Sequence, residues 1–285
     1  MLACCSPGSD QQLSSWTEPT TGMEFIRIEP GSFDMGSPAD EPYREVQEVL
    51  HRVTLTQSFY LGRFEVTQRE WEAVMGENPS QFQDCGTDCP VENVNYFDVE
   101  AFVAALEELS GERFRLPTEA EWEYACRAGE GSVFGIGERI SSAVANFDGS
   151  NPFPGAESGP YRARPTPVGS FPGNAWGGLH DMNGNVWEWC QDDHCPYPEV
   201  PVVDPLARCG AELRVIRGGS WYYGPDSARC GLRYTHRPVD DGPSLGFRLV
   251  WRAHDRSIEL TAKNVEITRS HRYRGTFRHP IAGLE

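Results

Sequence analysis

From Gly129 to about Arg252 the chain shows almost no helical periodicity. Pro, Gly, Asn and aromatic residues alternate there with short strand candidates, Leu213–Arg217 and Gly246–Val250. Such a stretch confines the fold to one rich in loops. Composition agrees. With 29 Gly and 22 Pro in 285 residues, the two types make up about 18% of the chain, against an average of roughly 12%. The 8 Trp, 10 Tyr and 14 Phe are the means by which a loop-rich chain buries a core.

Helical signals are confined to three segments. Thr67–Glu70 is a capping box, followed by Trp71 and Val74 on one face and Gly76 as a stop. Asn95 caps a second helix with Phe102, Val103, Leu106 and Leu109 at helical spacing and Gly111 past its end. Thr118–Glu121 is another capping box, with Trp122, Ala125 and Cys126 before Gly129. Strands are expected over Met23–Ile28, over Ser32–Gly36 after a Pro30–Gly31 turn, and within Arg52–Phe64. Residues 1–21 read as a flexible tether. Residues 253–285 read as a basic C-terminal extension, with six Lys/Arg against four acids in a chain of net charge −17. The extension either folds back on the acidic body or stays mobile. The acidic balance argues against nucleic acid as a partner. No run of 18 apolar residues exists, so no membrane span is expected.

Nine cysteines (Cys4, Cys5, Cys85, Cys89, Cys126, Cys190, Cys195, Cys209 and Cys230) form no CxxC pair, which argues against structural zinc. Cys85 and Cys89 bracket a short turn that a disulfide would close. Cys195 and Cys209 flank a Pro-rich loop that a second bridge would close. Scattered cysteines suit an oxidising compartment; the alternative is that several are buried small apolar residues. Leu2-Ala3-Cys4, followed by a Ser/Gly/Gln-rich stretch, looks like the end of a bacterial lipoprotein signal. The expectation is lipid on Cys4 and an extracytoplasmic location, periplasmic or at the cell surface. The alternative is a tail without meaning.

Seven motifs occur in order: Gly31–Gly36 (GSFDMG), Glu65–Gln68 (EVTQ), Arg115–Cys126 (RLPTEAEWEYAC), Pro167–Pro172 (PVGSFP), Asp181–Trp189 (DMNGNVWEW), Arg217–Trp221 (RGGSW) and Leu245–Arg248 (LGFR). Together they resemble the sulfatase-modifying-factor family, whose founding member is the formylglycine-generating enzyme. The resemblance covers about residues 22–252. It implies a single compact, loop-rich α+β domain related to C-type lectins, with few short helices and twisted antiparallel strands. In the family, an oxidase converts a sulfatase cysteine to formylglycine with oxygen and copper. It uses two cysteines just after the Gly-Gly-Ser-aromatic motif, a soft pair suited to Cu(I). Here Tyr222 or Tyr223 stands at the first position and the second cysteine is missing. No copper and no formylglycine chemistry are therefore expected. The resemblance also implies a Cys126–Cys230 disulfide, which leaves Cys190 without an obvious partner.

The same resemblance implies a calcium site at Asp181, Gly184, Val186 and Glu188, on a tight turn that offers hard oxygen donors. The alternative is that the two acids bond turn amides while Trp187 and Trp189 serve the core. A second calcium site is implied at Asn146 and Phe147, with Asp148 or Glu157 in place of the family's downstream Asp. Ser220, Trp221, Tyr222, Tyr223, Arg229, Arg233, Tyr234 and His236 cluster in a segment beside Trp187. They suggest a pocket of aromatic faces and guanidinium donors for a polar or anionic ligand. The alternative is that the arginines satisfy carbonyls of a loop-rich core. His194 and His236 have no metal-ligand partners in sequence and read as surface groups.

Two functions follow. One is an extracytoplasmic binding module for a protein or small polar ligand. The other is an oxidoreductase acting on a peptide or amino-acid side chain by different chemistry. Relatives that form sulfoxides in ergothioneine-type synthesis need an iron-binding three-histidine domain, and this chain has no such histidines.

Overall fold

The structure, a computed structural model, describes residues 15–252. The lipid-anchor expectation at Cys4, most of the expected tether and the 253–285 extension lie outside the described residues.

The three capped segments are helices: α1 (Gln68–Met75), α2 (Tyr96–Ser110) and α3 (Glu119–Arg127). In α1 the box is reciprocal. The Glu70 amide donates to Thr67 Oγ1 (3.3 Å), and the Thr67 amide donates to the Glu70 carboxylate (2.8 Å). Gly76 and Gly111 end α1 and α2 in the left-handed region. In α3 the chain turns one residue before the expected Gly129: Ala128 itself takes φ 50°. Trp71 of α1 stacks on Phe102 of α2 at 5.0 Å, which joins the two helices to the core. Leu109 shares the α2 spacing but is exposed.

Twelve strands among the described residues form three sheets. The first runs β1 (Ser15–Thr17), β2 (Glu24–Ile28), β5 (Phe59–Gly62), β12 (Val250–Arg252), β6 (Arg113–Arg115) and is antiparallel throughout. The second joins β3 (Gly31–Met35), β4 (His51–Leu55) and β8 (Val202–Val203). The third runs β10 (Tyr234–His236), β9 (Arg214–Arg217), β7 (Trp187–Asp193), β11 (Leu245–Gly246) and carries the site described below. Two pairings, β4 with β8 and β7 with β11, are parallel, so the sheets are mixed rather than uniformly antiparallel.

Two expectations change. Residues 15–21 are not tether. β1 pairs with β2, and Trp16 stacks on Trp251 at 3.9 Å. The expected strand 246–250 is split between two sheets because Arg248 turns inward, where its guanidinium forks onto Glu188 (2.6 and 2.7 Å). Three disulfides, Cys85–Cys89, Cys126–Cys230 and Cys195–Cys209, match the expected pairings, and Cys190 is free and buried.

Candidate functional site

A cavity of about 330 Å³ opens on the third sheet. Trp187 of β7, Ile216 of β9, Tyr234 and His236 of β10, Leu245 of β11 and Tyr223 from the loop after β9 form its walls. That loop turns at Gly218 and Gly219, both at positive φ. A Cβ on Gly219 would meet the Ser227 carbonyl at 2.8 Å, so a side chain is excluded there on two counts. The tight turn folds the loop back and brings Tyr223 edge-on to Trp187, with ring centres 5.8 Å apart. On the other side Tyr234 stacks on Trp187 at 5.6 Å.

The aromatic surface continues outside the cavity. Tyr222 packs edge-on against Tyr223 (5.3 Å) and Trp221 (5.5 Å), and Tyr161 lies over Trp221 (6.5 Å). Trp187 and Trp221 are buried, while Tyr161, Tyr222, Tyr223 and Tyr234 are exposed. Burial, with Tyr234 and Tyr222 close by, raises the Tyr223 pKa, so it stands as a neutral phenol at pH 7.

The polar edge is formed by Arg237, Asp240 and His236. Arg237 forks onto Asp240 with two bonds of 2.8 Å, and this pairing holds the carboxyl below its usual value. His236 Nδ1 is shielded from solvent and lies 3.7 Å from Asp240 Oδ2. His236 is therefore a half-exposed part of the cavity wall rather than a free surface group. His194 is half-buried; Gln47 meets its ring at 3.1 Å, and burial, then Arg233, lower its pKa.

The structure thus brings Trp187 and Tyr223 together at the cavity, leaves Tyr222 and Trp221 beside it, and buries Ser220. It removes two expected members. Arg229 is buried against Glu41 and Glu48, and Arg233 is buried against Glu119 and the Cys195 carbonyl. A guanidinium taken from water needs carboxylates to hold its charge, and both arginines are engaged in that way. The spacing Arg237-x-x-Asp240, an i,i+3 charge pair, was the readable sign of the polar edge that the sequence reading passed over.

Glu188, the residue after Trp187 on β7, belongs to an acidic group in which it and Glu65 are buried and Asp181 is half-buried. Asp181 accepts from the Gly169 amide (2.7 Å). Glu188 is occupied on both oxygens by Arg248 and also accepts from Trp122 Nε1 (2.7 Å). Glu65 accepts from Asn185 Nδ2 (2.7 Å) and the Val186 amide (3.1 Å). Burial raises the Glu65 pKa well above its usual value; Asp181 and Glu188 add to the rise and Arg248 opposes it. Three acids share one guanidinium, an excess of negative charge that proton uptake or a cation would relieve. The donors differ from the expected set: Glu65 was not foreseen, and the Glu188 side chain is already engaged. Gly184, at φ 110°, would place a Cβ 2.4 Å from the Asn146 carbonyl oxygen, so this turn is pressed against Asn146. Asn146 Nδ2 is bonded to the Arg164 carbonyl and to Asn185, while its buried Oδ1 has no partner. An orphaned amide oxygen of that kind is a hard donor suited to Ca²⁺. Phe147 is buried beside it.

Tyr222 and Tyr223 follow Ser220 where the resemblance placed a thiolate, and Cys230 is spent in a disulfide. Burial raises the thiol pKa of Cys190, the free cysteine among the described residues. Asp193, Cys195 and Cys209 lie close enough together to hold an ion, but both sulfurs are bonded to each other.

The chain is similar to several known proteins. Hercynine oxygenase of Mycolicibacterium thermoresistibile is 29% identical over 262 residues, covering 75% of this chain and 55% of the oxygenase; this chain spans about half that relative's length. Chaperone protein LppX of Paenibacillus barcinonensis is 31% identical, covering 70% of this chain and 81% of LppX. The structure of PvdO from Pseudomonas aeruginosa is 30% identical with a TM-score of 0.70, covering 84% of this chain and 98% of PvdO. The profile of the sulfatase-modifying factor enzyme 1-like domain matches residues 11–253, and this chain belongs to that family.

Proposed function

We propose that this domain is an extracytoplasmic binding module that takes a protein or small polar ligand in the Trp187–Tyr223–Tyr234 cavity. One observation carries the reading. At the place where the resemblance puts redox thiols, the chain has a neutral phenol that forms one wall of an aromatic cavity. Aromatic walls with a few charged groups at one edge suit binding, and a phenol does not supply the soft donor pair that Cu(I) needs. Three disulfides support an oxidising location. The similarity to LppX, whose name is that of a chaperone, supports a protein as ligand. Calorimetric titration with a panel of peptides and amino acids tests the reading. Saturable binding is expected, with at least a tenfold loss in Tyr223→Ala at unchanged Tm. Oxygen consumption above background with thiol or phenol peptides would overturn the binding-only view. It would favour the second reading, an oxidoreductase, which the similarity to hercynine oxygenase supports.

The proposal includes calcium. The carboxylates of Glu65 and Asp181 would hold one ion, with the Gly184 and Val186 carbonyls as further donors. Asn146, through Oδ1, and Phe147 would hold another. Calcium in hundredfold excess over Kd raises Tm by about 5 °C or more, and a chelator reverses the gain. A Tm unmoved by either rules the ions out.

A further inference from the structure

The cavity has a single imidazole, set between an aromatic and aliphatic side and a polar edge that also holds Thr235, Arg237, Asp240 and Ser244. Asp240 lies on the Nδ1 side of His236 at 3.7 Å, close enough to act by its charge though not by a hydrogen bond, and Nδ1 is hidden from solvent with no hydrogen-bond partner. Asp240 is itself fixed by the two-bond fork from Arg237. Edge-on packing against Trp189 at 6.0 Å limits rotation of the ring. A carboxylate beside one ring nitrogen of a neutral histidine keeps the proton on that nitrogen and leaves the other as a hydrogen-bond acceptor. In His236 that other nitrogen is Nε2, on the edge of the ring away from Asp240.

Resting on the proposed use of this cavity, we infer that its ligand carries a phenolic hydroxyl, whose ring packs between Tyr223 and Tyr234 against Trp187 and whose O–H donates to His236 Nε2. The rest of the wall favours the same class. Ile216 and Leu245 offer no polar atom to a buried hydroxyl, so its acceptor comes from the polar edge where His236 stands with Thr235, Asp240 and Ser244, and Tyr223 and Tyr234 prefer an aromatic face edge-on or offset. The charges near the imidazole are Asp240 and Arg237 on its own turn and Arg214, its register partner on β9. Arg237 is paired with Asp240 and Arg214 with Asp193, so neither cation is free to replace the acceptor.

The test is an NMR titration of the whole chain at pH 8. N-acetyl-tyrosinamide is compared with N-acetyl-phenylalaninamide, which differs by the hydroxyl alone. The phenol is expected to bind about tenfold tighter, the value of one directed hydrogen bond. His236→Leu abolishes the preference while still binding the phenyl probe, and Asp240→Asn weakens the preference without touching the aromatic wall. Equal affinity of the wild-type chain for the two probes overturns the inference and leaves the cavity a binding site. A preference that survives His236→Leu also overturns it. Binding of neither probe overturns both this inference and the use of the cavity itself.

Discussion

Arg229 and Arg237 stand eight residues apart and meet opposite fates. Arg229 is sealed in the interior between Glu41 and Glu48, partners that lie more than 180 residues away in the chain. Arg237 lies at the cavity edge, 65% exposed, with Asp240 three residues on. The same division holds across the molecule. Arg217 meets Glu123 and Glu119, Arg233 meets Glu119, and Arg248 meets Glu188, all buried. These forks stand in for the regular hydrogen-bond ladders that a loop-rich body lacks. They satisfy main-chain carbonyls as well, as Arg217 does for Cys230 (2.6 Å) and Gly231 (3.3 Å). The interior arginines therefore hold the loops in place, and the edge arginine stays at the exposed rim of the cavity.

Three substitutions break or sharpen this contrast. The largest effect is expected from Arg217→Met, which leaves Glu123 with Arg127 alone and Glu119 with Arg233 alone and unpairs the Cys230 and Gly231 carbonyls. Loss of one partner from a buried pair costs about 3–5 kcal/mol, read as a drop in urea midpoint at constant slope. A smaller effect, of opposite sign, is expected from Glu92→Gln. Glu92 is a buried acid that accepts from the Phe82 amide (2.8 Å) through Oε1, while Oε2 is unpartnered. Burial pushes it up to about 7 from 4.5. As pH rises from 4.5 to 7 the unfolded chain ionises first, so this group erodes stability over that window, and the penalty is complete above pH 7. Glu92→Gln raises Tm by about 2–4 °C at pH 8 and leaves it unchanged near pH 4. A melting series across that range checks the sign. The smallest effect on the fold is expected from Arg237→Ala. Its urea midpoint matches the parent chain, while ligand titration loses a few-fold in affinity as Asp240 and His236 lose their anchor.

The helices were legible because their signals are local. Thr67, Asn95 and Thr118 each meet their capping partners within three residues. The disulfides were legible through short loops and through family motifs. The arginines were not: spacing cannot tell whether a guanidinium will meet a carboxylate folded in from the far end of the chain. β7 was hidden for a related reason. Nearly every residue in Trp187–Asp193 is buried, including Glu188 and Asp192, so the alternation that marks a half-exposed strand is missing. At the site, Trp187 and Tyr223 were found from aromatic clustering. The Arg237–Asp240 edge was missed because charges in a loop look like ordinary solvated surface.

The indole pair Trp16–Trp251 has one more implication. It ties the entry strand β1 to the exit strand β12 across the two strands that separate them in the first sheet. A unit whose first and last strands belong to one sheet and are tied by a side-chain contact can be spliced into or onto another polypeptide without prising its interior apart. A match filling 55% of a longer oxygenase is what such a transplantable cassette would leave in the record of its relatives.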